Sequence, residues 1–223
     1  MLEALVPLLK AVIVVPVTLL PIINPPAVAP VFLATAGTRD EAIVRLARQV
    51  AVNAFFVVAA SLLVGSYVLD FFGISLPIVR VGGGLLVAAA GWRMLHSGGE
   101  DEVRSAAARQ TTTLSEAELQ QRSFYPLTFP LMTGPGTVAA AIALGAQVPG
   151  SPIQYVAHVI TLLVGAALTA LAIYLSNRHA AALLKRIGPL GTLVMMRLAA
   201  FMLLCIGIDI LWTGWLELSA TAR

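Results

Sequence analysis

A proline-broken apolar segment, long enough to cross a bilayer, occurs twice in this chain. The first copy spans residues 17–37 and the second spans residues 125–146. Each has its helix-breaking residues near the middle, where a membrane-spanning helix meets no bulk water. Such a break is tolerated only where protein covers it or where it lines a polar cavity. Two matched breaks in two halves of a chain therefore predict the binding site of a transporter.

The composition indicates an integral membrane protein. Hydrophobic residues make up 59% of the chain and charged residues 11%, and the mean hydropathy is +0.91. Soluble domains carry about 25% charged residues. The formal charge of +3 comes from basic residues in short loops, so we expect no binding to nucleic acid. The single cysteine, Cys205, lies in an apolar run, and we expect it to serve packing.

Six apolar stretches reach the roughly 20 residues that a spanning helix needs. They are residues 8–36, 47–69, 74–95, 124–147, 153–175 and 190–212. The first is broken around Asn24 and the fourth around Gly134. A charged linker at residues 97–122 separates one three-span unit, residues 1–96, from a second, residues 123–223. We therefore predict an all-α polytopic membrane protein.

Loop charges predict the orientation, because cytoplasmic loops are enriched in lysine and arginine. The loops after the first, third and fifth spans hold most of these residues, namely Arg39, Arg45, Arg48, Arg93, Arg104, Arg109, Arg122, Arg178, Lys185 and Arg186. We expect these loops to be cytoplasmic and both termini to be external, on the periplasmic side. Since three is an odd number, two similar three-span units must insert with opposite orientation. The fold prediction is accordingly two inverted three-helix repeats.

Four stretches of the chain resemble the MarC family of bacterial inner-membrane proteins. They read LLPIINP, FGISLPIVRVGGGLLV with the following GWRML, PLTFPLMTGPGT and FMLLCIGIDI. The resemblance extends over nearly the whole chain, and it implies a six-span protein of the bacterial inner membrane. The family is named for a role in multiple antibiotic resistance and includes transporters of small neutral amino acids such as glycine and alanine. The resemblance therefore implies that substrate class.

The first break has the residues that start a helix. Asn24 is a favourable N-cap and Pro25 suits the first helical position. The new half-helix would point the positive end of its dipole at the membrane centre, where it could bind a substrate carboxylate. Pro25 and Pro26 have no N–H group, which leaves Ala27 and Val28 as early donors.

The second break offers more donors. Thr133 is the equivalent cap, and Gly134, Pro135, Gly136 and Thr137 follow it. All except the proline supply an N–H group, and glycine lets a ligand approach the backbone closely. We predict that this break is the main carboxylate cradle. The alternative is that both breaks are proline kinks satisfied by neighbouring helices.

Two arginines lie inside predicted spans, where a charge normally faces a cavity or a partner. Arg80 starts RVGGGLLVAAAG and Arg197 starts RLAAFMLLCIG, a weak internal repeat. We predict a gating ion pair between Arg80 and Asp209 on the external side, and neutralisation of Arg197 by backbone carbonyls or by substrate. Snorkelling to lipid phosphates or static pairing are the alternatives.

The leading hypothesis is a secondary transporter that works by alternating access. The second hypothesis, an intramembrane enzyme, is not favoured. The sequence contains no HExxH motif, no paired intramembrane aspartates and no serine–histidine or serine–lysine arrangement. The alternatives are a non-transporting scaffold or regulator and an exporter of another small metabolite or drug. Without a nucleotide-binding motif, transport would depend on a gradient. The coupling ion is open between H+, carried by Asp209, and Na+. We expect no other cofactor and no metal site, and the sequence leaves the oligomeric state open.

Overall fold

The computed structural model describes residues 2–37, 39–96, 120–146 and 152–221, and the regular structure in these ranges is helical throughout. In chain order the helices are α1 (Leu2–Ile23), α2 (Pro25–Ala36), α3 (Asp40–Phe71), α4 (Leu76–His96), α5 (Ser123–Met132), α6 (Pro135–Gly145), α7 (Pro152–Arg178) and α8 (Ala180–Thr221). The expectation of an all-helical protein is confirmed for the described residues. Most of the predicted linker, residues 97–119, lies outside them.

Several helices are long and apolar enough to cross a membrane. By length and composition these are α3, α4, α7 and the Leu190–Ala220 part of α8, with Val12–Ile23 and α2 as a fifth span if that bent pair is counted as one. α6 is a shorter apolar helix. The outward faces remain apolar, as a lipid environment requires, with exposed Val64, Leu85, Leu171 and Phe201. In water, apolar faces of this extent would drive association.

The chain bends by 59° between α1 and α2. Asn24 lies between the two helices with φ 47° and ψ 60°, a left-handed conformation that asparagine tolerates better than most residues. Asn24 is the N-cap residue of α2 and Pro25 begins the helix, as predicted, but the Asn24 side chain makes no capping hydrogen bond. The physical reason is that Pro25 and Pro26 occupy the first helical positions and supply no N–H group. Instead, the Asn24 carbonyl accepts the N–H of Ala27 at 3.0 Å.

Threonine hydroxyls donate hydrogen bonds to backbone carbonyls around the second break. α5 is irregular, because its backbone is extended at Tyr125 and Phe129 and it contains two prolines, each of which removes a donor. The Thr128 hydroxyl donates to the Ser123 carbonyl at 2.7 Å, and the Thr133 hydroxyl donates to the Thr128 carbonyl at 3.0 Å. Because its hydroxyl points back into α5, Thr133 does not cap α6, and the N-cap position is Gly134. The predicted cap at Thr133 is therefore wrong.

Glycines bring α4 and α8 into backbone contact. A Cβ added at Gly84 would overlap the backbone of α8 at Leu211 and Gly207, and one added at Gly91 would overlap Leu204. Residue numbers rise along α4 as they fall along α8, so the two helices are antiparallel. Small residues permit this close approach. Gly82 differs, because a Cβ there would meet nothing within 4 Å.

The helix contacts are approximately symmetric between the two halves of the chain. The symmetry becomes visible when α1, α2, α3 and α4 are exchanged with α5, α6, α7 and α8, in that order. Under this exchange the α3–α7 and α4–α8 contacts map onto themselves. The α1–α7 contact maps onto α3–α5, α2–α7 onto α3–α6, α2–α8 onto α4–α6, and α1–α6 onto α2–α5. The α1–α8, α2–α3 and α7–α8 contacts have no equally extensive counterpart.

Candidate functional site

The two breaks line a single cavity of about 470 Å³. This volume lies within the range of small-molecule sites. The residues of the predicted site that line the cavity are Asn24, Ala27, Val28, Gly134, Pro135, Gly136 and Thr137. Two further predicted residues, Pro25 and Thr133, are buried beside it and do not line it. Segments that are more than 100 residues apart in sequence thus share one site.

Backbone carbonyls without an intrahelical donor lie at the end of α1, beside the cavity. In a continuous helix the carbonyls of Pro21 and Ile22 would accept the amides of residues 25 and 26. Both of those residues are prolines, so these carbonyls have no intrahelical donor. Ile22 lines the cavity. The C-terminal end of α1 therefore brings carbonyls without an intrahelical donor and the negative end of its dipole to the site.

Backbone donors lie at the start of α6, where Gly136 and Thr137 line the cavity. The amides of the first turn have no intrahelical partner. The amide of Val138 bonds back to the Gly134 carbonyl at 3.0 Å, and the amides of Gly136 and Thr137 precede it. α1 and α6 contact each other, so partial charges of opposite sign adjoin the same cavity.

The first break supplies fewer donors than predicted. The amide of Ala27 is occupied by the Asn24 carbonyl, because the left-handed turn brings that oxygen within reach. The expectation that Ala27 offers a free donor is therefore wrong. The first break therefore has even fewer backbone donors, relative to the second, than the proline and glycine content of the two breaks predicts.

Gly136 is packed against α4. A Cβ at this position would overlap the Val87 side chain, and the Gly83 carbonyl lies 3.7 Å away. The absence of a side chain at Gly136 therefore serves helix packing at the wall of the site. The prediction for Gly136 was only that it lets a ligand approach the backbone.

One wall of the cavity comes from α4 and was missed by sequence reasoning. It consists of Leu86, Val87, Ala90, Arg93 and Met94, which recur at intervals of three and four residues. This spacing places them on one face of a helix, and it is the signal that could have found them. Arg93 brings a positive charge to the cavity near the C-terminal end of α4.

The three charged residues of the predicted gate lie outside the cavity lining. Arg80 forms an ion pair with Glu217, not with Asp209, so the predicted Arg80–Asp209 pair is wrong. The antiparallel register explains the difference, since Gly214 packs against Arg80 and Glu217 lies one turn further on. Asp209 and Arg197 are both exposed on α8.

Neutralising Glu217 should have a small effect. The Arg80 and Glu217 side chains are 21% and 39% exposed, and pairs of this kind contribute at most about 1 kcal/mol. We expect Glu217→Gln to lower the unfolding free energy by less than that, and the charge exchange Arg80→Glu with Glu217→Arg to recover part of the loss. Thermal unfolding in detergent measures both. A larger loss from Asp209→Asn than from Glu217→Gln would contradict the assigned pair.

Comparison with known proteins gives one family. The model of the MarC family of integral membrane proteins matches residues 9–218. The inner membrane protein MarC of Citrobacter koseri is 31% identical over 221 residues, which cover 96% of this chain and 98% of that protein. The MarC protein of Escherichia coli O139:H28 is 32% identical over 217 residues, with the same coverage of both chains. That of Salmonella typhimurium is 30% identical over 221 residues. No solved structure matches the chain.

Proposed function

The chain belongs to the MarC family of integral membrane proteins, and from this premise we propose that it is a secondary transporter of small neutral solutes. Its substrates are small neutral amino acids such as glycine and alanine, and its location is the bacterial inner membrane. The observation that carries the proposal is that both helix breaks line one cavity. Discontinuous helices that meet at one site are the arrangement by which many secondary transporters bind substrate and ion.

A zwitterion suits the electrostatics of this cavity. The amides of Gly136 and Thr137 at the positive end of α6 would receive the carboxylate. The carbonyls at the end of α1 and the side chain of Asn24 would receive the ammonium group. Helix ends carry partial charges only, so a molecule with two opposite charges and no net charge is matched at both ends.

Alternating access would arise from two inverted repeats, residues 1–96 and 123–223, within six spans. The exchange of helix contacts between the halves supports this arrangement. Spans one and four would be broken at mid-membrane, and the arginine-rich loops would be cytoplasmic. The cavity extends from the breaks to Arg93, at the end of α4 that joins one of these loops. We propose that the site opens toward the cytoplasm in this conformation and that both termini are periplasmic.

Uptake of labelled glycine and alanine into liposomes that contain the purified full chain tests the proposal. A proton gradient and a sodium gradient are imposed separately, so that the coupling ion is read in the same experiment. We expect saturable uptake in one of the two gradients. A folded protein that shows neither uptake nor efflux of these solutes in either gradient would contradict the proposal and favour the scaffold or regulator.

A threonine pair supplies a matched test of the site. The Thr137 hydroxyl donates to the Met132 carbonyl at 3.1 Å, across the break, and Thr137 lines the cavity. The Thr169 hydroxyl donates to the Gly165 carbonyl at 2.8 Å within a regular helix. Both side chains are buried. We expect Thr137→Val to reduce uptake about tenfold, which corresponds to one buried acceptor left unpaired, and Thr169→Val to leave uptake near the wild-type value. Equal effects would contradict a role of Thr137 in the site.

Asn24 can be tested without disturbing the turn that it occupies. Glycine accepts a left-handed conformation, whereas other residues lose roughly 1–2 kcal/mol there. We expect Asn24→Gly to fold normally and to raise the KM for glycine several-fold, because one hydrogen bond to substrate is lost. Asn24→Val should lower the unfolding temperature. An unchanged KM in Asn24→Gly would remove the side chain from substrate binding.

A further inference from the structure

A second cavity lies at the start of α3 and of α5, away from the site at the breaks. Its volume is about 370 Å³, and its polar lining consists of Arg45, Arg48, Gln49, Asn53, Gln120 and Ser123. It shares no lining residue with the first cavity. The proposed transport function does not use any of these side chains.

The charge of this cavity favours an anion. Two arginines line it, and none of the described residues that line it is acidic. The nearest acidic residues along the helix, Asp40 and Glu41, lie in the first turn of α3 and do not line it. Two guanidinium groups one turn apart on a helix are suited to hold a phosphate between them.

The cavity also holds an acceptor that lacks a donor. The Oε1 atom of Gln49 is buried and accepts no hydrogen bond from the described residues. Other polar groups of the cavity already have hydrogen-bond partners. The Asn53 amide donates to the Ser123 hydroxyl at 3.3 Å, and that hydroxyl donates to the Gln120 carbonyl at 2.7 Å. The terminal torsion of glutamine turns easily, so Gln49 can present its oxygen to a donor in the cavity. A matching ligand therefore carries a hydrogen-bond donor beside its phosphate.

The position of the cavity along α3 corresponds to the headgroup level of a membrane. α3 has 32 residues, so it is about 48 Å long, which exceeds the hydrocarbon thickness of about 30 Å. Residues 49–69 carry no charge and would cross that hydrocarbon. Arg45 and Arg48 precede this stretch directly, at the boundary between hydrocarbon and water.

An apolar strip leads from the cavity along the outer face of α3. Val52 lines the cavity and is 46% exposed. Phe56 is 63% exposed and Val64 is 51% exposed, four and twelve residues further on. Val52 and Phe56 are four residues apart and lie on one face, and Val64 lies further along and around the helix. An acyl chain attached to the phosphate would lie along this strip, which a free phosphate would not use.

We propose that this cavity binds the headgroup of a phospholipid whose phosphodiester lies between Arg45 and Arg48 and whose hydroxyl or ammonium group donates to Gln49. Basic pockets between membrane helices are suited to such headgroups. This inference is independent of the transported substrate.

Lipid binding to the purified full chain in detergent tests the proposal. Native mass spectrometry and the shift in unfolding temperature are recorded with phosphatidylglycerol and phosphatidylethanolamine, which have a donor. Phosphatidylcholine has no donor, diacylglycerol has no phosphate, and glycerol phosphate has no acyl chain. We expect the first two lipids to bind most tightly and to stabilise the protein most. Equal binding of phosphatidylcholine or diacylglycerol would overturn the proposal, and equally tight binding of glycerol phosphate would assign the site to a free phosphate.

Variants assign the binding to this cavity. We expect Arg45→Gln with Arg48→Gln to weaken phosphatidylglycerol binding about 30-fold, from the loss of two basic groups near a membrane surface. Arg39→Gln is the matched control, since Arg39 is exposed just before α3 and does not line the cavity. Gln49→Leu should keep phosphate binding but remove the preference for phosphatidylglycerol over phosphatidylcholine. An effect of Arg39→Gln as large as that of the double variant would overturn the assignment, as would an unchanged lipid preference in Gln49→Leu.

Discussion

Gly84→Ala should strongly destabilise the protein, whereas Gly82→Ala, two residues earlier in the same helix, should not. A Cβ at Gly84 would overlap backbone atoms of α8 at Leu211 and Gly207. Backbone atoms cannot turn aside as a side chain can, so α4 and α8 would have to separate. Overpacking typically costs 1–3 kcal/mol and occasionally more, and we expect about 3 kcal/mol or a loss of folded protein. Thermal unfolding in detergent and size-exclusion chromatography measure this outcome.

The control distinguishes a packing defect from a general effect of alanine. Gly82 is exposed, and a Cβ there would meet nothing within 4 Å. Alanine favours a helix over glycine by up to about 1 kcal/mol, so Gly82→Ala should leave the unfolding temperature unchanged or raise it. Gly207→Ala, on the other side of the contact, should resemble Gly84→Ala. Equal stability of the Gly82 and Gly84 variants would show that α4 and α8 do not pack in this register.

Gly136→Ala should abolish uptake, and a second substitution, Val87→Ala, should restore it. The added Cβ would overlap Cγ2 of Val87, but it would lie 3.2 Å from the Val87 Cβ. Truncating Val87 therefore removes the overlapping atom and leaves a tight contact. We expect the single variant to lose more than nine-tenths of its uptake, because α4 is pushed away from the site. The double variant should recover most of it, since the Gly136 amide is kept.

Val87→Ala alone is the control for this pair. It removes a buried methyl pair and should lower stability by about 1–2 kcal/mol without abolishing uptake. The informative comparison is between unfolding temperature and uptake in the double variant. If the temperature recovers while uptake remains absent, the methyl group obstructs the substrate itself, and the packing explanation is wrong.

Local chemistry explains why the breaks could be found from the sequence. Pro25 and Pro26 lack N–H groups in any environment, and so does Pro135. The positions where helices end and restart near Asn24 and Gly134 follow from this chemistry alone. The side-chain capping bonds did not follow, because a hydroxyl or amide group has several backbone carbonyls and amides within reach. The Thr133 hydroxyl donates to the Thr128 carbonyl of α5. Single-residue preferences do not predict the backbone conformation that makes this bond possible.

Contacts between distant segments explain the other differences. The depth of Arg80 in its helix suggests Asp209 as a partner, but the glycine contacts of α4 and α8 set a register that places Gly214 beside Arg80. Glu217 then forms the ion pair. Arg93 was counted as a loop charge, although the orientation of α4 against α6 makes it part of the cavity wall.

The composition predicts an apolar helical membrane protein, and the prolines predict where two of its helices break. These properties depend on composition and on missing backbone donors, which act over a few residues. Three findings required the folded structure. Both breaks line one cavity, α4 supplies a wall of it, and Arg80 pairs with Glu217. Each of these depends on the register of helices far apart in sequence, which close packing at glycines sets and local preferences do not.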